Sequence, residues 1–337
     1  MTSNHSSLLH YASDEELSYL RQRKGSGFHY LDQKGKPLAA SEKERVEKLV
    51  IPPAWENVRI CCDEGGHIQA VGYDAKGRKQ YIYHPEWMLQ NQGHKFDKMV
   101  KMGEVLPTIR ETVAGHMRQH SLSRERVVAT VVWLLDHTFI RVGNQQYVKE
   151  NSSYGLTTLR EKHVDVEGTQ VFFSFKGKSG VYHEHQISHP RVAKTVRQCI
   201  ELPGYQVFQY LDENGQRQGV DSRDVNEYLH QISGESFSAK DFRTWGGSTL
   251  TGRRLYELGN AENETQLKKN VRAAVKEVAQ HLGNTITVCR KYYVHPKVID
   301  SYSEKKLVKH FDRIVTEQQP NTTKLSTDEY AVWTLLR

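Results

Sequence analysis

The chain has 337 residues, enough for one large or two modest domains that each bury a core. Lys and Arg total 47 against 40 Asp and Glu, giving a net charge of +7 and a pI near 9.0, a balance that favours a polyanionic partner, nucleic acid ahead of an acidic membrane surface, although many enzymes that bind no nucleic acid are as basic. The four cysteines (Cys61, Cys62, Cys199 and Cys289) form neither a CxxC pair nor a disulfide framework, which argues against a stapled secreted scaffold and for a reducing compartment. In chain order, residues 1–85 read as short strands and turns. Gly27-Phe-His-Tyr30 runs into a turn at Asp32-Gln-Lys-Gly35, residues 41–49 form a short helix, and Ile51-Pro-Pro-Ala-Trp55 is an ordered loop entering Val58-Arg-Ile60. A hairpin follows, with residues 69–73 and 80–83 flanking Asp74-Ala-Lys-Gly77.

Helical patterns dominate from Pro85 onward. Residues 123–140 place Val127, Val131, Leu134, Leu135 and Thr138 on one face, and Val128, Val132 and Phe139 widen it, as expected of a helix buried in a core. That helix is expected to end at Arg141-Val-Gly143, where glycine can close the last turn. A three-stranded insertion is read over residues 156–159, 163–166 and 170–175, with Gly168 and Gly177 as turn markers. Residues 220–232, 239–260 and 264–282 are helical again, and Ser326-Thr-Asp-Glu329 has capping-box form before a final short helix. The expected class is α+β: a small β-rich amino-terminal domain over residues 1–88 and a larger, mainly α domain over 89–337 carrying a short three-stranded sheet. The first residues are polar and lack the basic region and apolar core of a signal peptide, and no apolar stretch is long enough to cross a bilayer, so a cytoplasmic protein with no membrane partner is expected.

No Walker A loop, GxGxxG or HExxH occurs, so neither nucleotide hydrolysis nor a zincin site has support. The 17 histidines are scattered; the one close group, His183-Glu-His185 on an expected strand, reads as solvent-exposed rather than as a metal ligand set. What stands out is a set of cations at the ends of elements: Arg141 after the buried helix, Lys178 in the tight turn Phe175-Lys-Gly-Lys-Ser-Gly180, and Arg243 at the start of another helix. Taken singly, each is an ordinary surface charge or salt-bridge partner.

Taken in order, they resemble a family. Phe139-Ile-Arg-Val-Gly143 with Tyr147-Val-Lys-Glu-Asn151 and Tyr154-Gly-Leu-Thr-Thr-Leu159, then Lys176-Gly-Lys-Ser-Gly180, then Lys240-Asp-Phe-Arg-Thr-Trp-Gly246, then Leu282-Gly-Asn-Thr285 and Cys289-Arg-Lys-Tyr-Tyr293-Val, are similar to the motifs of the poxvirus and bacterial type IB DNA topoisomerases over nearly the whole chain. The resemblance implies the catalytic fold shared with tyrosine recombinases and Tyr293 as a nucleophile forming a 3′-phosphotyrosyl link. It further implies Arg141 and Arg243 on the non-bridging oxygens, Lys178 as general acid and Lys240 as a second participant in proton transfer. Many family members have histidine where Asn284 stands, nine residues before Tyr293; an amide still donates a hydrogen bond but carries no charge. Asparagine at that position resembles some bacterial members and points to a bacterial, nucleoid-associated enzyme.

The segment Asp74-Ala-Lys-Gly-Arg-Lys-Gln-Tyr-Ile-Tyr83 resembles the family's DNA-clamping region, implying contacts from Lys76, Arg78, Lys79, Gln80, Tyr81 and Tyr83; without the resemblance it is an ordinary half-buried aromatic strand. Period two puts Lys79, Tyr81 and Tyr83 on one face and Gln80 on the other. Tyr147 is a further DNA contact by the same resemblance. Tyr292 and Tyr293 are adjacent, and only the family spacing selects the second. The implied partner is duplex DNA held by a monomer with no obligate protein partner, and neither metal nor any other cofactor is expected. Two alternatives stand beside this reading: a tyrosine recombinase, which usually carries HxxR where this chain has Lys240-x-x-Arg243, and a non-catalytic DNA-binding protein of the same fold.

Overall fold

An antiparallel sheet of five strands organises the amino-terminal part of the chain. In this computed structural model, which describes residues 9–25, 27–75, 77–316 and 323–337, the chain divides into two compact units, residues 1–95 and 96–337. The first unit holds β1 (Tyr19–Lys24), β2 (Gly27–Leu31), α1 (Ala40–Lys48), β3 (Glu56–Ile60), β4 (Ile68–Tyr73) and β5 (Lys79–Tyr83), with sheet order β2-β1-β3-β4-β5. Val46 of α1 packs with Ile51, Val58, Ile60 and Ala70 beneath the sheet. The loop Ile51-Pro-Pro-Ala-Trp55 is ordered by Arg21, whose buried guanidinium donates to the carbonyls of Ile51, Pro52 and Trp55 at 3.1, 3.1 and 2.7 Å. Two prolines leave that loop short of donors, and an arginine satisfies the exposed acceptors.

The helix α2 (Pro85–His116) runs through the boundary between the units. The second unit continues with α3 (Arg124–Thr138), α4 (Gln145–Asn151), the three-stranded sheet β6 (Val164–Glu167), β7 (Gln170–Lys176) and β8 (Tyr182–Ser188), and α5 (Pro190–Glu201). A two-stranded ribbon, β9 (Gln209–Leu211) and β10 (Arg217–Gly219), precedes α6 (Ser222–Ser233), α7 (Ala239–Glu257) and α8 (Glu264–His281). The short α9 (Ile286–Tyr292), α10 (Pro296–Ser303), α11 (Leu307–Thr316) and α12 (Thr327–Leu336) complete it. The α+β class is borne out, and no helix among the described residues is long and apolar enough to cross a membrane.

The buried helix is α3, and its polar residues are accommodated rather than excluded. Arg126 is buried yet bonded to Thr195 Oγ1 at 3.2 Å and to the His120 carbonyl at 3.0 Å. Two readings of the sequence change. Residues 156–159 are not a strand: Leu156–Thr158 is a 3₁₀ turn, and the third strand is β8, beyond the lysine turn. The helix α3 stops at Thr138, because Phe139 takes the left-handed conformation (φ 54°, ψ 20°) that ends it two residues before Arg141.

A charged cluster ties α2, α3, α7 and α12 together inside the second unit. Arg110 bonds both oxygens of Asp136 (2.7 and 3.0 Å) and both of Glu329 (2.9 and 2.7 Å), and the Trp245 indole donates to Glu329 at 2.9 Å. Burial alone would raise the Glu329 carboxyl, but Arg110 overrides it and holds the group at about 2, below its ordinary 4.5. Glu329→Ala is expected to cost about 3 kcal/mol in denaturant unfolding, since it strands a half-satisfied arginine and an indole donor. A carboxyl depressed in the folded state stabilises fully above its unfolded pKa, so this contribution fades as pH falls from about 4.5 towards 2. An unchanged midpoint in the variant would show the cluster to be energetically idle.

Candidate active site

Arg243 is the centre of the site. It lies in the first turns of α7, which the Asp241 carboxylate opens by accepting from Ser238 N at 2.8 Å. Only 3% of Arg243 is exposed, and among the described residues no carboxylate pairs with it. Its guanidinium instead donates to two backbone carbonyls, Phe139 O at the end of α3 and Leu282 O at the end of α8 (2.8 Å). Both carbonyls are free because both helices have just ended there. A buried cation held by carbonyls keeps its full positive charge available to an anionic ligand, which an Asp or Glu partner would cancel.

The end of α8 is built by sequence. Leu282-Gly-Asn284 forms a Schellman turn: Gly283, at φ 60°, donates to Gln280 O, and Asn284 N donates to Ala279 O at 2.8 Å. The turn presents Gly283 O and Asn284 Oδ1 to Arg141 Nη2, at 3.2 and 2.5 Å. With its oxygen committed to Arg141, the Asn284 amide nitrogen is buried and has no hydrogen-bond partner among the described residues; the same holds for Arg243 Nε. Buried donors without acceptors are rare and call for an explanation. Arg141 is fixed from the other side by the 3₁₀ turn, since Leu156 N donates to Arg141 O at 2.9 Å and Thr157 N to Val142 O at 2.7 Å.

Tyr293 sits directly after α9, with its ring 5.0 Å from the Arg243 guanidinium. Its backbone is clamped against α7. Ser248 Oγ donates to Tyr293 O (3.3 Å) and accepts from His295 N (2.9 Å). A Cβ on Gly247 would lie 2.5 Å from Tyr293 O, and one on Gly246 would collide with the Phe139 ring, so the two glycines let both neighbours approach the helix. Burial pushes the Tyr293 phenol up, but the charge and hydrogen bond of Arg243, then the charges of Arg141 and Lys240, outweigh it and leave the pKa below the ordinary value. Both arginines are lowered chiefly by their own burial, Arg141 further by Arg243, and both stay protonated because a guanidinium starts so high. Tyr292 has a different environment: Lys291 Nζ lies 5.4 Å over its ring.

The structure thus brings Arg141, Arg243, Asn284 and Tyr293 together, with Lys240 exposed one turn before Arg243 and within the phenol's field. Lys178 is placed elsewhere on its hairpin, exposed, with its ammonium 5.3 Å over the ring of Tyr147, itself 46% exposed at the start of α4. His183 and His185 lie on β8, but the expectation that the group is solvent-exposed fails for His183, which is buried. Alternation along β8 turns residues 183 and 185 inward and Glu184 outward.

In the first unit, Lys79, Tyr81 and Tyr83 do share the outer face of β5. The two rings stack at 5.9 Å, and Lys79 Nζ lies 5.5 Å from the Tyr81 ring. Gln80 points the other way and donates to Asp74 at 3.0 Å, while Arg78 pairs with the same carboxylate at 2.7 Å. Lys76 lies outside the described residues. Sequence reading missed Ser248 and Gly247, which hold Tyr293 in place; the Gly246-Gly247 pair inside a helix was the visible signal, since glycine there is otherwise unfavourable.

Comparison with known proteins matches the sequence that builds this site to a family. A model of the eukaryotic DNA topoisomerase I catalytic core matches residues 77–319, and one of the bacterial DNA topoisomerase IB N-terminal domain matches residues 27–74. The DNA topoisomerase 1B of Acanthamoeba polyphaga mimivirus is 31% identical over 290 residues, 84% of this chain and 86% of that protein. The DNA topoisomerase 1B of Vaccinia virus (strain Copenhagen) is 27% identical over 243 residues, 70% of this chain and 72% of its own. A fungal relative, DNA topoisomerase 1 of Mycosarcoma maydis, is 28% identical over 204 residues, 55% of this chain and 19% of its own. The motif order, the family models and the near full-length viral relative agree: the chain belongs to the type IB DNA topoisomerase family.

Proposed function

We propose that this protein relaxes supercoiled duplex DNA by cutting and resealing one strand through Tyr293, as a monomer and with neither ATP nor metal. The observation that carries the reading is a half-buried phenol under a carbonyl-held arginine, beside two buried donors that lack acceptors among the described residues. A phosphodiester supplies the missing acceptors. Its non-bridging oxygens would take donors from Arg243, Arg141 and Asn284, and those bonds strengthen as charge builds on the five-coordinate phosphorus. The Tyr293 oxygen attacks phosphorus and loses its proton; the bond from phosphorus to the 5′ oxygen breaks, leaving a 3′-phosphotyrosyl link and a 5′ hydroxyl. Lys178 gives that departing oxygen its proton, and Lys240 assists proton movement near the phenol. Before DNA arrives Lys178 rests on Tyr147; the scissile phosphate would draw the ammonium from the ring to the leaving oxygen. Religation reverses each step, and the phosphotyrosine conserves the bond energy, which removes any need for ATP.

The amino-terminal unit contributes the Lys79–Tyr81–Tyr83 face, one cation for phosphate and two rings for sugar or base contact. Arg78 and Gln80 take part only if Asp74 releases them. The test is relaxation of supercoiled plasmid in EDTA without nucleotide. Complete relaxation is expected; a strict requirement for divalent metal or ATP would overturn the reading.

A further inference from the structure

His183 lies between the two loops that must cooperate in the proposed reaction. Its ring is 8% exposed and stacks on Phe175, its partner in the β7–β8 ladder, with centroids 5.3 Å apart and planes 16° from parallel. On one side it meets the hairpin turn that carries Lys178: a Cβ on Gly177 would stand 2.6 Å from His183 Cδ2. On the other it meets the Schellman turn that carries Asn284: a Cβ on Gly283 would collide with His183 Cε1 and stand 2.7 Å from Nε2. Two glycines at consecutive walls of one ring leave a slot that the imidazole fills. The turn also closes on itself, Gly177 N donating to Val181 O at 2.7 Å and Gly180 N to Gly177 O at 3.1 Å, and Tyr154 N reaches it from outside, donating to Lys176 O at 2.9 Å. Burial first, then the charges of Arg141 and Arg243, push the imidazole down to about 4, so at neutral pH it is an uncharged filler that adds no repulsion to the two arginines.

We propose that His183 is a positioning residue, a wedge that sets the Lys178 hairpin against the Gly283–Asn284 turn so that the ammonium reaches the leaving oxygen while Asn284 and Arg141 hold the phosphate. The inference rests on the general-acid role proposed for Lys178. Substituting sulfur for the scissile 5′ bridging oxygen separates the two ideas. A thiolate leaves without protonation because thiols ionise near pH 8.5, so a defect in proton delivery disappears on the sulfur substrate while a general loss of structure does not.

In single-turnover cleavage by the full chain, His183→Ala is expected to be roughly 10- to 100-fold slower than wild type on the oxygen substrate and within about 3-fold of it on the sulfur substrate. His183→Phe keeps a flat ring in the slot and should stay within about 5-fold of wild type on both. Should His183→Ala fail to fold, Gly177→Ala carries the same test, since φ −92° suits any residue and the added methyl displaces the ring. Lys178→Ala is run alongside. If Lys178→Ala recovers on sulfur and His183→Ala does not, or if His183→Ala is as fast as wild type on oxygen, the wedge is refuted and the general acid stands. If Lys178→Ala itself fails to recover on sulfur, the general-acid role falls and the wedge with it.

Discussion

Tyr293→Phe is expected to bind duplex DNA as wild type does, yet to form no detergent-trapped covalent adduct and to relax plasmid at least about 10⁴-fold more slowly. The ring is retained, so its packing under Arg243 and the Ser248 bonds to the Tyr293 carbonyl and the His295 amide survive; only the phenolic oxygen, the proposed attacking atom, is lost. The control is the adjacent residue. Tyr292 ends α9 with a lysine over its ring, while Tyr293 lies under a buried arginine and has its phenol pulled below its ordinary pKa. Tyr292→Phe should therefore cleave within about 3-fold of wild type. An adduct that persists in Tyr293→Phe, or vanishes in Tyr292→Phe, moves the nucleophile to the neighbour.

Much of this site is legible in the sequence because its parts sit at ends of elements, where glycine, asparagine and capping residues leave local signals. Leu282-Gly-Asn284 reads as a helix end, and Ser326 with Glu329 forms the expected capping box, Ser326 N donating to Glu329 at 2.9 Å. The family follows from four such motifs in order. What is not legible is long-range. Nothing near Arg243 announces that its partners are carbonyls at residues 139 and 282, because a carbonyl has no residue type. The stop at Phe139 is hidden for a related reason: a phenylalanine in the left-handed region is unfavourable locally and persists only where tertiary structure imposes it, here by the ring lying against Gly246 and the carbonyl reaching Arg243. Residues 156–159 carry strand-like composition, yet the Leu156 and Thr157 amides bond to the Arg141 and Val142 carbonyls, and those of Thr158 and Leu159 turn back to Gly155 and Leu156, rather than to a strand. Burial of His183 is equally invisible, since it depends on two glycines more than a hundred residues apart.

Replacing Arg243 should separate its two contributions. Arg243→Lys keeps a positive charge but loses the planar fork that spans Phe139 O and Leu282 O and that, in the proposed reaction, also serves a phosphate oxygen, so cleavage should fall by roughly 10²- to 10³-fold with DNA binding little changed. Arg243→Gln removes the charge as well. In the wild type the phenol is held below its ordinary value of 10.0, so at any given pH more of it is phenolate than in free tyrosine. Without the Arg243 charge and hydrogen bond, burial dominates, Arg141 and Lys240 compensate only in part, and the pKa rises. Cleavage that depends on phenolate increases with pH through that pKa. The rising limb of the single-turnover profile, measured from about pH 5 to about pH 9.5, should therefore move to higher pH in Arg243→Gln and by less in Arg243→Lys. Because guanidinium removal also leaves two buried carbonyls unpaired, thermal midpoints are measured in parallel, but a loss of stability lowers the whole profile without moving the limb. A limb fixed at the wild-type pH in Arg243→Gln, with the rate still depressed, would show that Arg243 acts only on the phosphate and that Tyr293 is activated by other groups.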